Sequence, residues 1–325
     1  MFWDWGQILA RWAVIDPSAN PTLVNLSENH TFRIDAPNGA RSILRVHRPG
    51  YHSLAGIRSE LEWMEALRAD TGLFTPRAIA GTNGDLVQSG PFQRADDLRF
   101  MVLFAFEDGE EPAVGDDLEP VFAQLGGLAA RCHAHARKWT PPRWFERQRW
   151  TERAILDPEA IWGDWRAGPG VAGPLRSILD ALDQRLRADL AAYGAEPDRF
   201  GLIHADMRLA NLLVADGVTR LIDFDDCGYC WFGYDFAAGV SFFEDHPIVG
   251  ALKARWLEGY RAIAEYPRAD EDMLDALVLL RRMALLAWMG THEEAQIAQD
   301  LAPVYAQGSA ELAERYLTKG QITAD

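Results

Sequence analysis

The segment from Phe200 to Asp226, FGLIHADMRLANLLVADGVTRLIDFDD, constrains the fold more than any other part of the chain. Two short apolar runs, Leu212-Leu213-Val214 and Thr219 to Ile222, flank Asp216-Gly217, a dipeptide that favours a tight turn between strands. Leu202-Ile203 reads as a further short strand ahead of them. A hairpin of this kind carries Asp206, Asn211 and Asp223 to one edge. A single Asp or Asn in a turn ordinarily caps a helix or closes an Asx-turn, and Asp216 fits that description. Three such groups embedded between apolar runs do not. Together they offer hard oxygen donors of the kind Mg²⁺ takes, one or two from protein and the rest from phosphate and water.

With His204-Ala205-Asp206, Asn211 and Ile222-Asp223-Phe224-Asp225-Asp226 in register with that hairpin, the chain resembles the aminoglycoside phosphotransferase and choline kinase superfamily, the small-molecule branch of the protein-kinase-like fold. Within it, the look is of the bacterial type II homoserine kinase and stress response kinase A groups. Members show His-Gly-Asp, an Asn five residues on, and then Ile/Val-Asp-x-x-Asp. The departure here is Ala205 for glycine, a methyl that forbids little unless φ is positive there. The resemblance implies a bilobal α+β fold, with an antiparallel-sheet amino-terminal lobe and a mainly helical carboxy-terminal lobe. It implies ATP and Mg²⁺, and transfer of the γ-phosphoryl group to a hydroxyl. Asp206 would accept or align the hydroxyl proton, and Asn211 and Asp223 would hold the metal. Asp225 would reach a second metal or the acceptor. Arg208 either neutralises the moving phosphoryl group or is a surface charge. His204 braces the loop, and Asp235, in Gly233-Tyr234-Asp235-Phe236-Ala237, hydrogen-bonds the loop backbone.

The first third of the chain reads as strands with few helices. Residues 3–14 suggest a short amphipathic helix. Strands are expected over 23–34 and 42–47, joined at Ala36-Pro37-Asn38-Gly39, and again near 77–80, 86–88 and 99–106. Ser53 caps a helix running to about Ala69. After Glu107 the texture turns helical, with candidates at 118–137, 174–193, 248–264, 270–289 and 293–317. This places a nucleotide-binding lobe at 1–106, a catalytic and acceptor-binding lobe at 107–325, and a hinge near Phe104–Gly109, with Phe104 and Phe106 facing the nucleotide. Ser27, Glu28 and Asn29 sit where the resembled family covers the phosphates with backbone N–H groups. Without a GxGxxG, the residues alone leave this a plain hairpin turn.

The chain has only three lysines, Lys138, Lys253 and Lys319, so none lies in the first lobe to hold the nucleotide phosphates. In Ser42 to His47, alternation puts Leu44 and Val46 on the core face and Arg45 on the other, where that lysine would stand. Arginine binds phosphate through a planar fork rather than as a point charge. Ile57, Leu61, Met64 and Leu67 form one helical stripe, and Glu60 falls inside it. A carboxylate there is expensive to bury without a cation. Arg45 supplies one, so the two are expected to pair.

A formal net charge of −16 argues against nucleic-acid binding and is compatible with a cationic substrate. Three cysteines are too few for a disulfide framework, and Cys227-x-x-Cys230 lacks the second ligand pair of a zinc site. No apolar run is long enough to span a membrane, and the start has no signal-peptide pattern, so a cytoplasmic location is expected. Trp139, Trp144, Trp150, Trp162 and Trp165, interspersed with acids, either wall a site for a cationic acceptor or pack an irregular insert onto the helical lobe. His133-x-His135 points to different helix faces, which disfavours metal chelation. The expected activity is phosphorylation of a small hydroxylated metabolite or antibiotic, with or without an amine. The alternatives are a protein Ser/Thr kinase of the stress response kinase A type and a catalytically weak nucleotide-binding pseudokinase.

Overall fold

The computed structural model describes residues 4–16, 18–26, 29–92, 94 and 96–322; of Leu26 only the backbone is described. The architecture is α+β. The chain divides into two compact units, Met1–Asp108 with Thr140–Arg147, and Gly109–Trp139 with Gln148–Asp325. Residues 140–147, which the change of texture at Glu107 assigns to the second lobe, group with the first.

The first unit contains α1 (Trp5–Leu9), β1 (Asn20–Leu26), β2 (His30–Asp35), β3 (Arg41–Val46), α2 (Leu54–Thr71), β4 (Ala78–Ile79), β5 (Val87–Pro91) and β6 (Leu98–Ala105). The strands form one antiparallel sheet in the order β1-β2-β3-β6, with β4 and β5 both paired to β6. Period-two alternation sends Phe32, Ile34, Leu44, Val46, Met101 and Leu103 to one face, where Ile8, Leu9 and Trp12 cover them. Ser53 caps α2 by accepting from Gly56 N at 2.9 Å, and Gly72 ends it in the left-handed conformation at φ 65°. Ser59 Oγ accepts from Glu146 N at 2.8 Å, and Arg147 Nη1 donates to Gly56 O at 3.0 Å. These bonds tie 140–147 to the first turns of α2.

The second unit contains α3 (Glu119–Ala136), α4 (Glu152–Leu156), α5 (Gly173–Tyr193), β7 (Phe200–Ile203), β8 (Leu212–Ala215), β9 (Val218–Leu221), β10 (Gly228–Trp231), α6 (Tyr234–Gly239), α7 (Val249–Arg261), α8 (Arg268–Asp272), α9 (Leu274–Thr291), α10 (Gln296–Leu301) and α11 (Tyr305–Lys319). β8 and β9 form the expected hairpin, and Asp216 and Gly217 both have positive φ, 52° and 74°. That combination suits a turn matched to strand twist. α3 and α7 pack closely because glycines face backbone: a Cβ on Gly126 would meet Trp256 O at 2.0 Å, and one on Gly259 would meet Ala123 O at 1.7 Å. α9 is buried nearly throughout its length. The single helix expected over 293–317 is two, α10 and α11, with Pro303 between them, where its missing N–H prevents continuation. The strand β10 was not expected; it pairs antiparallel with β7 and leads out of the IDFDD run. Among the described residues, no helix is long and apolar enough to cross a membrane.

Candidate active site

β7 and the β8–β9 hairpin carry the polar loop 204–211 and the strand end at Asp223. Ala205 has φ 66°, in the left-handed region that costs an L-residue about 1–2 kcal/mol. The glycine of the resembled pattern would sit here without that cost, so the extra methyl is tolerated only because the surroundings fix the loop. The buried Asp235 does much of this. Its Oδ1 accepts from Ala205 N at 2.7 Å, and its Oδ2 accepts from His204 N at 3.4 Å and faces His133 Nε2 at 2.8 Å. His133 in turn has Nδ1 3.1 Å from Tyr260 OH. Burial lowers the His133 pKa, with the hydrogen bond and charge of Asp235 acting against it. His133 therefore braces the loop through Asp235, which explains an inward-facing histidine on α3.

His204 Nδ1 accepts from Asp206 N at 3.2 Å, and its Nε2 donates to Ile222 O at 3.1 Å. With one nitrogen accepting and the other donating, the ring is neutral, and burial lowers its pKa. It links the loop to the strand end and has no geometry for proton shuttling. Ile222 N donates to Asn211 O at 2.9 Å, a second link between the same two segments.

Asp206 is the convergence point. Asn211 Nδ2 donates to its carbonyl at 2.9 Å and to its Oδ2 at 2.6 Å, and Arg208 Nε reaches Oδ2 at 3.2 Å. Arg281 Nη2, from the middle of α9, donates to Oδ1. Burial alone would raise the Asp206 pKa; the guanidinium groups of Arg281 and Arg208 outweigh it and hold the carboxyl below its ordinary value. The group is thus ionised at neutral pH. Asp223 has φ 57°, a conformation Asp adopts more readily than most residues, and its Oδ1 accepts from Asp225 N at 3.3 Å.

These positions suit a hard cation. Asn211 spends its amide nitrogen on Asp206, which orients its amide oxygen away from that bond, and Asp223 adds a carboxylate at the strand end. Among the described residues, no three His, Cys, Asp or Glu side chains are arranged to cage a metal. A Mg²⁺ that draws most of its ligands from phosphate and water needs no such cage.

In the first unit, Arg45 Nη1 donates to Glu60 Oε1 and Oε2 at 2.7 and 2.9 Å. The pairing inferred from strand alternation and the helical stripe is present and buried. The Arg45 guanidinium lies 4.9 Å from the centroid of the Phe104 ring, and that of Arg41 lies 4.0 Å from Phe106. Asn29 Oδ1 accepts from Arg48 N at 3.1 Å. Ser27 and Glu28 lie outside the described residues.

One feature was not foreseen: Arg281, whose only trace in the sequence is a pair of arginines, Arg281-Arg282, inside a mostly apolar helix. For the tryptophans, the structure decides between the two readings. Trp150, Trp162 and Trp165 are buried, and Trp150 Nε1 donates to Asp226 O at 3.0 Å. Trp165 Nε1 donates to Asp183 Oδ2 at 3.1 Å. These three are core, not an open aromatic wall; Trp144 is about half exposed.

Comparison with known proteins gives a consistent result. The profile of a phosphotransferase enzyme family matches residues 23–271. A solved microcompartment-associated aminopropanol kinase is 40% identical over 98% of both chains, with a TM-score of 0.89. Amicoumacin kinase of Bacillus subtilis (strain 168) is 25% identical over 64% of this chain and 58% of its own length. The match thus spans less than two thirds of that curated relative. A solved amicoumacin kinase in complex with AMP-PNP, Ca²⁺ and its antibiotic is 19% identical over 98% of this chain and 93% of its own, with a TM-score of 0.76, a likeness of fold.

Proposed function

The chain belongs to the phosphotransferase enzyme family, and on that premise we propose that it transfers the γ-phosphoryl group of ATP to the hydroxyl of a short amino alcohol of the aminopropanol class. The observation that carries this reading is the 40% identity to an aminopropanol kinase across 98% of both chains. The acceptor's cationic amine is compatible with the formal charge of −16, which favours approach of cations. The other named relative, amicoumacin kinase, also takes its name from a small molecule.

In this reading, Asp206 receives the acceptor hydroxyl as hydrogen-bond donor and aims its oxygen at the γ-phosphorus. The new O–P bond forms as the bond to the β-phosphate oxygen breaks and ADP departs. Because Asp206 is held ionised, its main contribution is alignment, and it takes the proton as the hydroxyl becomes an ester. Asn211 and Asp223 would hold the divalent cation, which when bound would neutralise phosphate charge. Arg208 carries positive charge beside Asp206 and offsets charge on the moving group. Arg45, fixed by Glu60, takes the place of the usual lysine on the nucleotide phosphates. Asn29 stands toward those phosphates, and Phe104 and Phe106 meet the base.

The test is a phosphate-transfer assay with Mg–ATP and a panel of acceptors: 1-amino-2-propanol, ethanolamine, choline, neutral diols and a protein pool. The expected product is an O-phosphate ester, with the highest kcat/KM on a three-carbon amino alcohol. Phosphate found on protein serines, with no small-molecule ester, would replace this reading with a protein kinase.

A further inference from the structure

Arg281 stands behind the catalytic loop rather than beside its open edge. Its side chain is only 3% exposed. The Nη2 donates to Asp206 Oδ1, Nη1 to Ala205 O at 3.3 Å, and Nε to Ser241 Oγ at 3.0 Å. The guanidinium also lies 4.9 Å from the centroid of the Trp162 ring, and Trp162 packs edge-on against Trp150, which is bonded to Asp226 O. One planar fork therefore fixes both the carbonyl of the strained Ala205 and the carboxylate that follows it. Arg208 differs. It is two residues from Asp206, its side chain is 22% exposed, and it meets the opposite oxygen, Oδ2, at 3.2 Å.

We propose that Arg281 is a positioning residue for phosphoryl transfer: it locks the Asp206 carboxylate through Oδ1, so that Oδ2 is the oxygen presented to the acceptor hydroxyl, with Arg208 the partner that gives up its place there. The inference rests on the reading of Asp206 given above. The two oxygens have unequal surroundings, and this decides which is exchangeable. Oδ1 meets a buried donor from a distant helix that is itself held by Ser241 and Trp162. Oδ2 has Asn211 on one lone pair and the more exposed Arg208 on the other, and exchanging Arg208 for a hydroxyl leaves the loop anchored. A lysine ammonium cannot reproduce such a fork, because it is a point charge on a flexible stem. A carboxylate misplaced by as little as about 1 Å is expected to cost on the order of 100-fold in rate.

Arg281→Lys isolates this role, since it keeps a positive charge beside Asp206 while removing the fork. The wild type is first assayed on the acceptor panel; if it phosphorylates nothing, the reading of Asp206 fails and this inference falls with it. With an active wild type, kcat of the lysine variant should fall by about 30-fold or more, with KM for ATP and for the acceptor within about threefold. These are measured well below the variant's own melting temperature. A purely structural arginine would lower Tm without this split. A kcat within about twofold of wild type in the folded variant would overturn the proposal, as would a raised acceptor KM at constant kcat, which would make Arg281 an acceptor ligand. Should the lysine variant not fold, Ser241→Ala removes only the acceptor of Nε. It should lower kcat by roughly three- to tenfold at constant KM, and an unchanged kcat would equally overturn the proposal.

Discussion

Arg45–Glu60 and Arg281–Asp206 are the same chemical pair set at opposite depths. In the sheet unit the carboxylate is the deeper member, Glu60 at 0% side-chain exposure against 7% for Arg45. In the helical unit the cation is deeper, Arg281 at 3% against 12% for Asp206. In each pair, the shallower group has the proposed part in the reaction and the deeper one holds it. Buried ion pairs contribute little net stability, because desolvation offsets the Coulomb attraction. Their presence is better explained by what they orient: in the proposed reading, a cation toward phosphate in one unit and a carboxylate toward a hydroxyl in the other.

The largest stability effect should come from stranding the deeper group. Arg45→Ala leaves Glu60 fully buried without its cation and should cost about 3–5 kcal/mol of unfolding free energy, measured by urea titration. Adding Glu60→Gln should recover part of that loss; strictly additive losses would show that the two residues do not act as a pair. Asp206→Asn should cost less than Arg45→Ala, because the asparagine oxygen still accepts from Arg281. An equal or larger loss would erase the contrast between the two units.

Next in size is the metal-dependent effect. A ligand that binds only the folded state at 100 times its Kd stabilises it by about 2.7 kcal/mol. Mg–ATP should raise the melting temperature of the wild type accordingly, and Asp223→Ala should remove the Mg²⁺-dependent part of that rise. An undiminished shift would remove Asp223 from the metal site.

The smallest effect concerns Ala205, whose carbonyl Arg281 holds. Ala205→Gly relieves a left-handed residue of its methyl but loosens the unfolded chain, so a net gain of about 0.5–1 kcal/mol is expected. The same substitution in ordinary backbone destabilises. A loss of that size here would mean that the loop does not need positive φ.

The two pairs also differ in how far the sequence reveals them. Arg45 and Glu60 are 15 residues apart, and each was legible from a local periodicity: alternation along β3 and the apolar stripe of α2. Asp206 and Arg281 are 75 residues apart, and α9 is buried on all sides, so no amphipathic stripe marks which face Arg281 takes. The usable signal was energetic: two adjacent arginines in LDALVLLRRMALLAWMG need buried acceptors. Arg282 has its own in Glu244, at 2.6 Å. The hairpin carrying Asn211 and Asp223 was legible because Asp216-Gly217 dictates the turn. The tryptophans were ambiguous because aromatic residues serve cores and binding walls alike. Here Trp150 and Trp165 are fixed by indole N–H bonds to Asp226 and Asp183. Ala205 shows what composition cannot: only the backbone angle tells that its methyl is strained.

The central claim, that Asp206 directs phosphoryl transfer to a small amino alcohol, is most directly tested by following wild type and Asp206→Asn side by side. The reaction holds Mg–ATP and 1-amino-2-propanol, and ³¹P NMR resolves ADP from a phosphate monoester. The wild type should form ester and ADP in equal amounts. The variant should be slower by roughly 10²–10⁴-fold, while Mg–ATP still raises its melting temperature. Turnover near that of wild type in the variant, or ADP formed with no ester on any small acceptor, would contradict the account.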